Sequence, residues 1–424
     1  MKNLQLPREL GWIDNLPQRY KIVRLSSVVT QVKQKNFSNV NENLLSLSYG
    51  KIISKDIAAA DGLLPESFET YNIIEPGDVV FRLTDLQNDK RSLRTGLTTE
   101  KGIITSAYVS VRPSGIEPRY LAYFMRAMDL AKVFYSLGGG LRQSLNYADA
   151  KLLPVVLPPK GEQRAIADYL DREISEIDSF VADCSRMVEL IEEKESAFTA
   201  SLLTHGLTDS DSVAEDHGIP WLENESIPTH WHRMKLGFLL RMKSGDAISS
   251  EAVQEEGLYP VFGGGGLRGY TSTSNITGIH VLIGRQGALC GKVFVSQEEA
   301  FATEHAIVTY PKIMLDLRWL ESLLRFMNLG QYSQSAAQPG IGVETLSKLY
   351  VPVPPLSEQV EIGDSIAKHQ ESRSDLLLEL ESAIALAHER RAALISAAVT
   401  GQIDVSSQGL SPASQLRNEL EVHV

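Results

Sequence analysis

The sequence predicts a mixed α/β (α+β) chain of two globular regions, each followed by a long helix, the two helices packing against each other as a coiled coil. Three observations predict it. "SLNYADAKLLPVVLPPKGEQ" at 144–163 returns as "GIGVETLSKLYVPVPPLSEQ" at 340–359, an offset of 196 residues. A heptad pattern follows each copy, and segments of alternating strand and helix character precede each. Repetition of this kind fixes an architecture before any local detail does. Here it gives a pseudo-two-fold tandem repeat.

The elements can be justified in order. "GWIDNLPQRYKIVRL" (11–25) is echoed faintly by "PWLENESIPTHWHRMKL" (220–236), so both halves start on a similar lead-in segment. "GDVVFRL" (77–83) and "HVLIGR" (280–285) read as strands from their β-branched runs. "RYLAYFMRAM" (119–128) and "RWLESLLRFMNL" (318–329) read as the helices after them. The double prolines at 158–159 and 354–355 stop the preceding structure. Glu162 and Glu358 then fall in a first helical turn, where a carboxylate meets the positive end of the helix dipole, and Ser357 is the expected N-cap of the second helix. The first seam runs Leu170, Ile174, Ile177, Val181, Cys184, Val188, Ile191, Glu195, Phe198, Leu202 in alternating steps of four and three. Its repeat, from Ile366 to Ala398, carries polar residues at Gln370, Arg373 and Arg391. The expected bounds are 1–157 and 220–353 for the globular regions, 158–206 and 354–403 for the helices, 207–219 for a polar linker and 404–424 for a tail.

A chain of 424 residues exceeds one ordinary core. Its net charge of −12 first argues against a nucleic-acid partner, but the charge is uneven. Residues 1–157 hold 20 Lys/Arg against 15 Asp/Glu, whereas 158–219 hold 5 against 15. Acid is concentrated after the repeated motif, so the mean hides two kinds of module. Cys184 and Cys290 form neither a disulfide framework nor a metal cluster. The start "MKNLQLPREL" lacks a signal peptide's apolar stretch, and no apolar run has the length of a membrane span, which leads us to expect a cytoplasmic protein away from membranes.

Catalytic motifs were tested and fail. "GRQGALCGKVF" (284–294) has Val293 where a phosphate-binding loop needs Ser or Thr. HExxH and GxSxG are absent, and His230 and His232 read as surface or packing residues rather than metal ligands. Recognition chemistry remains. Between Gly257 and Gln297 there is no Asp or Glu, while Arg268, Arg285 and Lys292 add positive charge, and Tyr270 offers a ring beside a run of glycines. Such a loop can lie on phosphates and present a guanidinium to base edges. In the first half "RLTDLQNDKRSLRTG" gathers Arg82, Lys90, Arg91 and Arg94. A solvated turn with ordinary cations is the plainer reading of that stretch.

The tandem layout, the two PPxxEQ-plus-helix units, "YPVFGGGGLRGY" (259–270) and "VLIGRQGALCGKVF…AFATEHAIV" (281–308) resemble the specificity subunit of a type I restriction–modification system. The resemblance is closer in the second half than in the first. It implies two target-recognition domains held apart by two antiparallel long helices, each domain reading half of a split double-stranded DNA site. It implies two adenine methyltransferase subunits and two ATP-driven restriction subunits as partners. S-adenosylmethionine, ATP and magnesium would be used by those partners, with no cofactor or metal in this chain and no catalysis by it. Carried onto this sequence, it makes Glu162, Gln163, Glu358 and Gln359 markers of the partner-docking helices, and Gln143 and Gln338 candidate DNA contacts beside those above. A rival expectation is an assembly scaffold that binds proteins only.

Overall fold

The computed structural model describes residues 7–56, 67–86, 93–137, 144–207, 213–214, 218–222, 226–333 and 339–405. The chain divides into two units, residues 1–184 with 382–424, and residues 185–381. Each long helix therefore gives one part of its length to each unit.

The first unit contains β1 (Lys21–Arg24), β2 (Val29–Gln31), β3 (Leu45–Ser48), β4 (Lys51–Ser54), β5 (Asn72–Ile74), β6 (Val79–Phe81), β7 (Thr95–Leu97), β8 (Gly102–Ile104), β9 (Val109–Pro113), α1 (Pro118–Leu130), β10 (Pro154–Leu157) and the start of α2 (Lys160–His205). An antiparallel sheet runs in the order β2-β9-β6-β7. The lead-in strand β1 pairs with the exit strand β10, Lys21 opposite Leu157. β6 is buried along its whole length, and its two-residue period divides it between two cores. Val79 and Phe81 meet Tyr120, Leu121 and Phe124 of α1, together with Leu170 and Ile174 of α2 and Ile395, Ala398 and Val399 from the far end of the chain. Val80 packs on the opposite face with Leu47, Ile52 and Ile104. Each such large side chain contributes about 1.5–3 kcal/mol on burial.

The second unit repeats this frame with β11 (His232–Lys235), β12 (Leu240–Ser244), β13 (Tyr259–Gly263), β14 (Gly266–Thr271), β15 (Val281–Gly284), β16 (Val293–Val295), β17 (Glu299–Ala302), β18 (Ala306–Pro311), α3 (Leu317–Phe326), β19 (Tyr350–Val353) and the start of α4 (Leu356–Val399). Its sheet runs β12-β18-β15-β16, again antiparallel, and β11 pairs with β19. Trp319, Leu320 and Leu323 of α3 pack between that sheet and the helix ends, meeting Leu202 and Leu203 of α2 and Ile362 and Ile366 of α4. α3 stops earlier than the predicted 329 because Asn328 is left-handed, at φ 43°.

The heptad seam is where the sequence placed it. Leu170, Ile174, Ile177, Cys184 and Leu202 are buried, and Gln370 is the seam residue of α4 that faces out. In the first unit Arg391 Nε lies 3.5 Å from Asp178. In the second, His369 Nδ1 lies 2.5 Å from Glu195 Oε2 and its ring stacks on Phe198. Early α2 residues thus meet late α4 residues and the reverse, which is antiparallel packing. Ser357 is not the N-cap: α4 begins at Leu356, and Pro355 O accepts from Gln359 N at 3.0 Å, leaving Ser357 inside the first turn. Among the described residues no helix is long and apolar enough to cross a membrane.

Candidate nucleic-acid interface

Both sheets carry an open cleft at the same place, just past the end of β6 or β15, where the exit segment crosses the chain. In the first unit Leu83 O accepts from Leu145 N at 2.9 Å; in the second Arg285 O accepts from Ile341 N at 2.9 Å. Leu145 and Ile341 stand 196 residues apart, the offset of the repeat. The crossing is therefore the same structural joint twice. Around it lie clefts of about 640 Å³ and about 650 Å³, and among the described residues neither is lined by an Asp or Glu.

The second cleft is a glycine construction. Gly264 and Gly265 form the turn between β13 and β14, and Gly284 ends β15 against it. A Cβ on Gly284 would lie 2.1 Å from Gly264 O, and one on Gly264 would lie 2.5 Å from Gln286 O, so only glycine permits the approach. Arg268 is exposed and lines the cleft with Gln286 and His305. Gln286 Oε1 and His305 Nδ1 are 2.9 Å apart, holding both side chains at its wall. The first cleft takes its lining from other sources: Lys33 and Lys35 after β2, Asn72 of β5, Tyr108 before β9, and Asn146 of the exit segment. Asn72 Oδ1 is buried beside it with no hydrogen-bond partner among the described residues.

The structure sorts the sequence-predicted DNA contacts. Arg268 is brought to the cleft. Lys292 is exposed on the loop that returns from it, where its carbonyl accepts from Gly284 N. Tyr270 is half-buried on β14, its backbone paired with Gln254, and does not line the cleft. Arg285 turns inward: its Nη1 donates to Ser244 Oγ at 3.1 Å and tethers β12 to the end of β15. Arg82 is half-buried at the end of β6, two residues before the lining residue Thr84. Arg94 is the clear correction. It is fully buried, donating through Nη1 to Thr84 O at 3.0 Å and through Nη2 to Asp85 O at 3.2 Å. A guanidinium committed to two carbonyls shapes the loop beside the cleft and does not meet DNA. Asp129 accepts from the Arg94 backbone, and burial raises its carboxyl pKa to about 6. Lys90, Arg91, Gln143 and Gln338 lie outside the described residues, the last two immediately before the lining residues Ser144 and Pro339.

The two PPxxEQ glutamines also need correction as partner contacts, because both amides are engaged inside the chain, while Glu162 and Glu358 are partly exposed. Gln163 donates to Pro158 O at 2.8 Å and accepts from Glu117 N at 2.9 Å; Gln359 donates to Pro354 O at 2.9 Å and accepts from Asp316 N at 3.1 Å. Both amides are 2% exposed, too deep for a partner protein to reach. Glu162 receives Arg19 and the Tyr20 hydroxyl, and Glu358 receives His230 at 2.9 Å, so each carboxylate ties its helix to a lead-in segment. The Arg19 contacts, foremost, hold the Glu162 carboxyl below its usual range. The motif is a joint that fixes long helix, lead-in segment and α1 or α3 together. Sequence reasoning missed this although Glu117 and Asp316 open matching helices, and it missed Lys33, Lys35, Asn72, Tyr108, Gln286 and His305, which carry no local pattern.

Each unit thus carries one cleft at an equivalent joint of a duplicated frame. Residues 228–384 match the type I restriction modification DNA specificity domain. The type I restriction enzyme EcoprrI specificity subunit of Escherichia coli is 40% identical over 140 residues, 32% of this chain and 35% of that one. The putative type I restriction enzyme MjaX specificity subunit of Methanocaldococcus jannaschii is 27% identical over 146 residues, 34% of this chain and 32% of that one. The matched stretch spans about a third of the length of these curated relatives. A chain from a solved structure titled "Structural basis underlying complex assembly and conformational transition of the type I R-M system" superposes with a TM-score of 0.63 at 17% identity, covering 92% of this chain and 100% of that chain. At that identity it shows the fold. The resemblance of the sequence to type I restriction–modification specificity subunits is thus met by a match over residues 228–384 and by a shared fold.

Proposed function

We propose that this chain is the sequence-reading, non-catalytic subunit of a type I restriction–modification complex in the cytoplasm, each unit reading one half of a split DNA site. The observation that carries the reading is the pair of clefts at equivalent joints of the two repeats, lined among the described residues by cations and amides and by no carboxylate. Phosphates of a duplex repel carboxylates, so a surface meant for DNA excludes them, and base edges are read by the Arg, Gln, Asn and Lys side chains found there. Two methyltransferase subunits would supply S-adenosylmethionine chemistry, extruding the target adenine into their own pockets. Two ATP- and magnesium-dependent restriction subunits would complete the complex. A protein-only scaffold gives no reason for two equivalent clefts whose described lining holds cations and amides and no carboxylate.

The test is an exchange of residues 237–345 for the matching region of a relative, followed by selection on randomised DNA in the presence of methyltransferase. One half-site should change and the other stay. If both change, or if the chain shows no salt-dependent DNA binding with its partners, the reading fails.

A further inference from the structure

We propose that the cleft of the second unit reads a thymine, with Leu289 against its C5-methyl group and the Gln286 amide donating to its O4. The assignment rests on the DNA reading above and names the base which that cleft selects. Gly264, Gly265, Gly287 and Gly340 line the cleft, so much of its wall is bare backbone that a base edge can approach closely. The long side chains on that wall are Arg268, Gln286, Leu289 and His305.

Leu289 is the unexpected member, 51% exposed on the loop between β15 and β16. A single exposed leucine is ordinary, but this one is seated. A Cβ on Gly265 would lie 2.8 Å from Leu289 Cδ1, so the side chain rests on the glycine turn between β13 and β14. Arg268 is seated in the same way, since a Cβ on Gly263 would lie 2.6 Å from Arg268 Cδ. The run of glycines therefore holds an apolar group and a guanidinium at one cleft, and leaves the outer face of each open.

Gln286 adds directed donors. Its Oε1 lies 2.9 Å from His305 Nδ1, and a carbonyl oxygen only accepts, so that ring nitrogen carries the proton. The other ring nitrogen lies 3.3 Å from Glu304 Oε1, outside the cleft lining, which holds the imidazole from its far side. With its oxygen turned to His305, Gln286 presents its amide N–H groups to the cleft, and no described residue accepts from them. Donors beside an apolar group select a base by elimination. In the major groove adenine and cytosine each present an amino donor, which would face the Gln286 N–H groups. Guanine presents two acceptors and no methyl, which suits Arg268, and thymine alone presents an acceptor beside a methyl group.

The test uses the full chain assembled with methyltransferase subunits. Selection on randomised DNA, with the 237–345 exchange as reference, identifies the half-site read by the second unit, which should contain a thymine. Uracil at that position removes the methyl and keeps O4, and should weaken binding about fourfold, the effect of one buried methyl-sized group. This loss should vanish in Leu289→Ala and persist in Leu289→Met, which keeps an apolar chain of similar reach. 5-Methylcytosine keeps the methyl but turns the acceptor into a donor, and should weaken wild type at least about tenfold and Gln286→Ala much less. His305 is a positioning residue: His305→Ala should relax the rejection of 5-methylcytosine and leave the uracil effect unchanged, a split that general misfolding does not produce. A half-site without thymine, or a uracil effect that is absent in wild type or equal in Leu289→Ala, would overturn the assignment and leave the DNA reading standing. Absence of any sequence preference would sink both.

Discussion

The two units share a frame and differ in what the frame presents. Their sheets have the same strand order, their lead-in and exit strands pair in the same way, and a glutamine pins the start of each long helix to the helix of its own globular region. Yet the second cleft is walled by a glycine hairpin with Arg268, Gln286 and His305, and the first by lysines, Asn72 and Tyr108 drawn from separate strands. The difference teaches where a duplicated protein can vary. Buried joints must satisfy the same backbone groups in both copies, because an orphaned buried donor or acceptor costs about 1–3 kcal/mol. Cleft walls face solvent and have no such debt.

The sharpest way to break the comparison is at the shared joint. Gln163→Ala and Gln359→Ala each strand one buried carbonyl and one N–H, so each should lower stability by about 3 kcal/mol in chemical denaturation. Similar losses from both variants support an equivalent joint; a large loss from one alone would show that the repeats are built differently.

A smaller effect should appear in one unit only. Asp129 of the first unit corresponds, in the same alignment of α1 with α3, to Asn328 of the second. Burial raises the Asp129 pKa from 3.8 to about 6, so the folded state binds this proton more tightly than the unfolded state does. Its contribution is greatest below pH 3.8 and is lost as pH rises through about 6. Asp129→Asn should therefore flatten the stability–pH profile across that window, leaving the variant about 2 kcal/mol more stable relative to wild type at pH 7 than at pH 4. A parallel profile would show that the carboxyl titrates normally.

The clefts themselves should give the finest contrast. Arg268→Ala should cost about 1–2 kcal/mol on the preferred sequence and less on others, as loss of a base contact does. Lys33→Ala should weaken all sequences by under about 1 kcal/mol and reduce the salt slope by about 0.9. Binding isotherms at several salt concentrations on cognate and scrambled DNA distinguish the two, and interchanged behaviours would mean that the roles of the clefts are reversed.

Much of this architecture was legible in the sequence because it rests on periodicity. The seam from Leu170 to Leu202, the strand at 281–284 and the helix from Arg318 follow from spacing alone. The joint was half legible: Gln163 and Gln359 stood out by repetition, but their burial depends on Glu117 and Asp316 arriving from elsewhere in the chain. The first cleft was not legible, since Lys33, Asn72 and Tyr108 converge from separate strands and no local pattern joins them. Arg94 misled for a physical reason. A cluster of cations looks alike whether its members meet phosphate or, like this one, the carbonyls of a tight loop.

The division of each long helix between two units has a consequence for how the protein is made. The first core is closed by Ile395, Ala398 and Val399, and the Tyr120 hydroxyl lies 3.4 Å from Val399 O across 279 residues of sequence. A ribosome releases the amino-terminal region long before it has synthesised those closing side chains, so the first globular region emerges with an unfinished apolar face. Synthesis, more than sequence order, then decides which region matures first. The second unit, contiguous from 185 to 381, can complete its core while the first still waits for the last turns of the final helix.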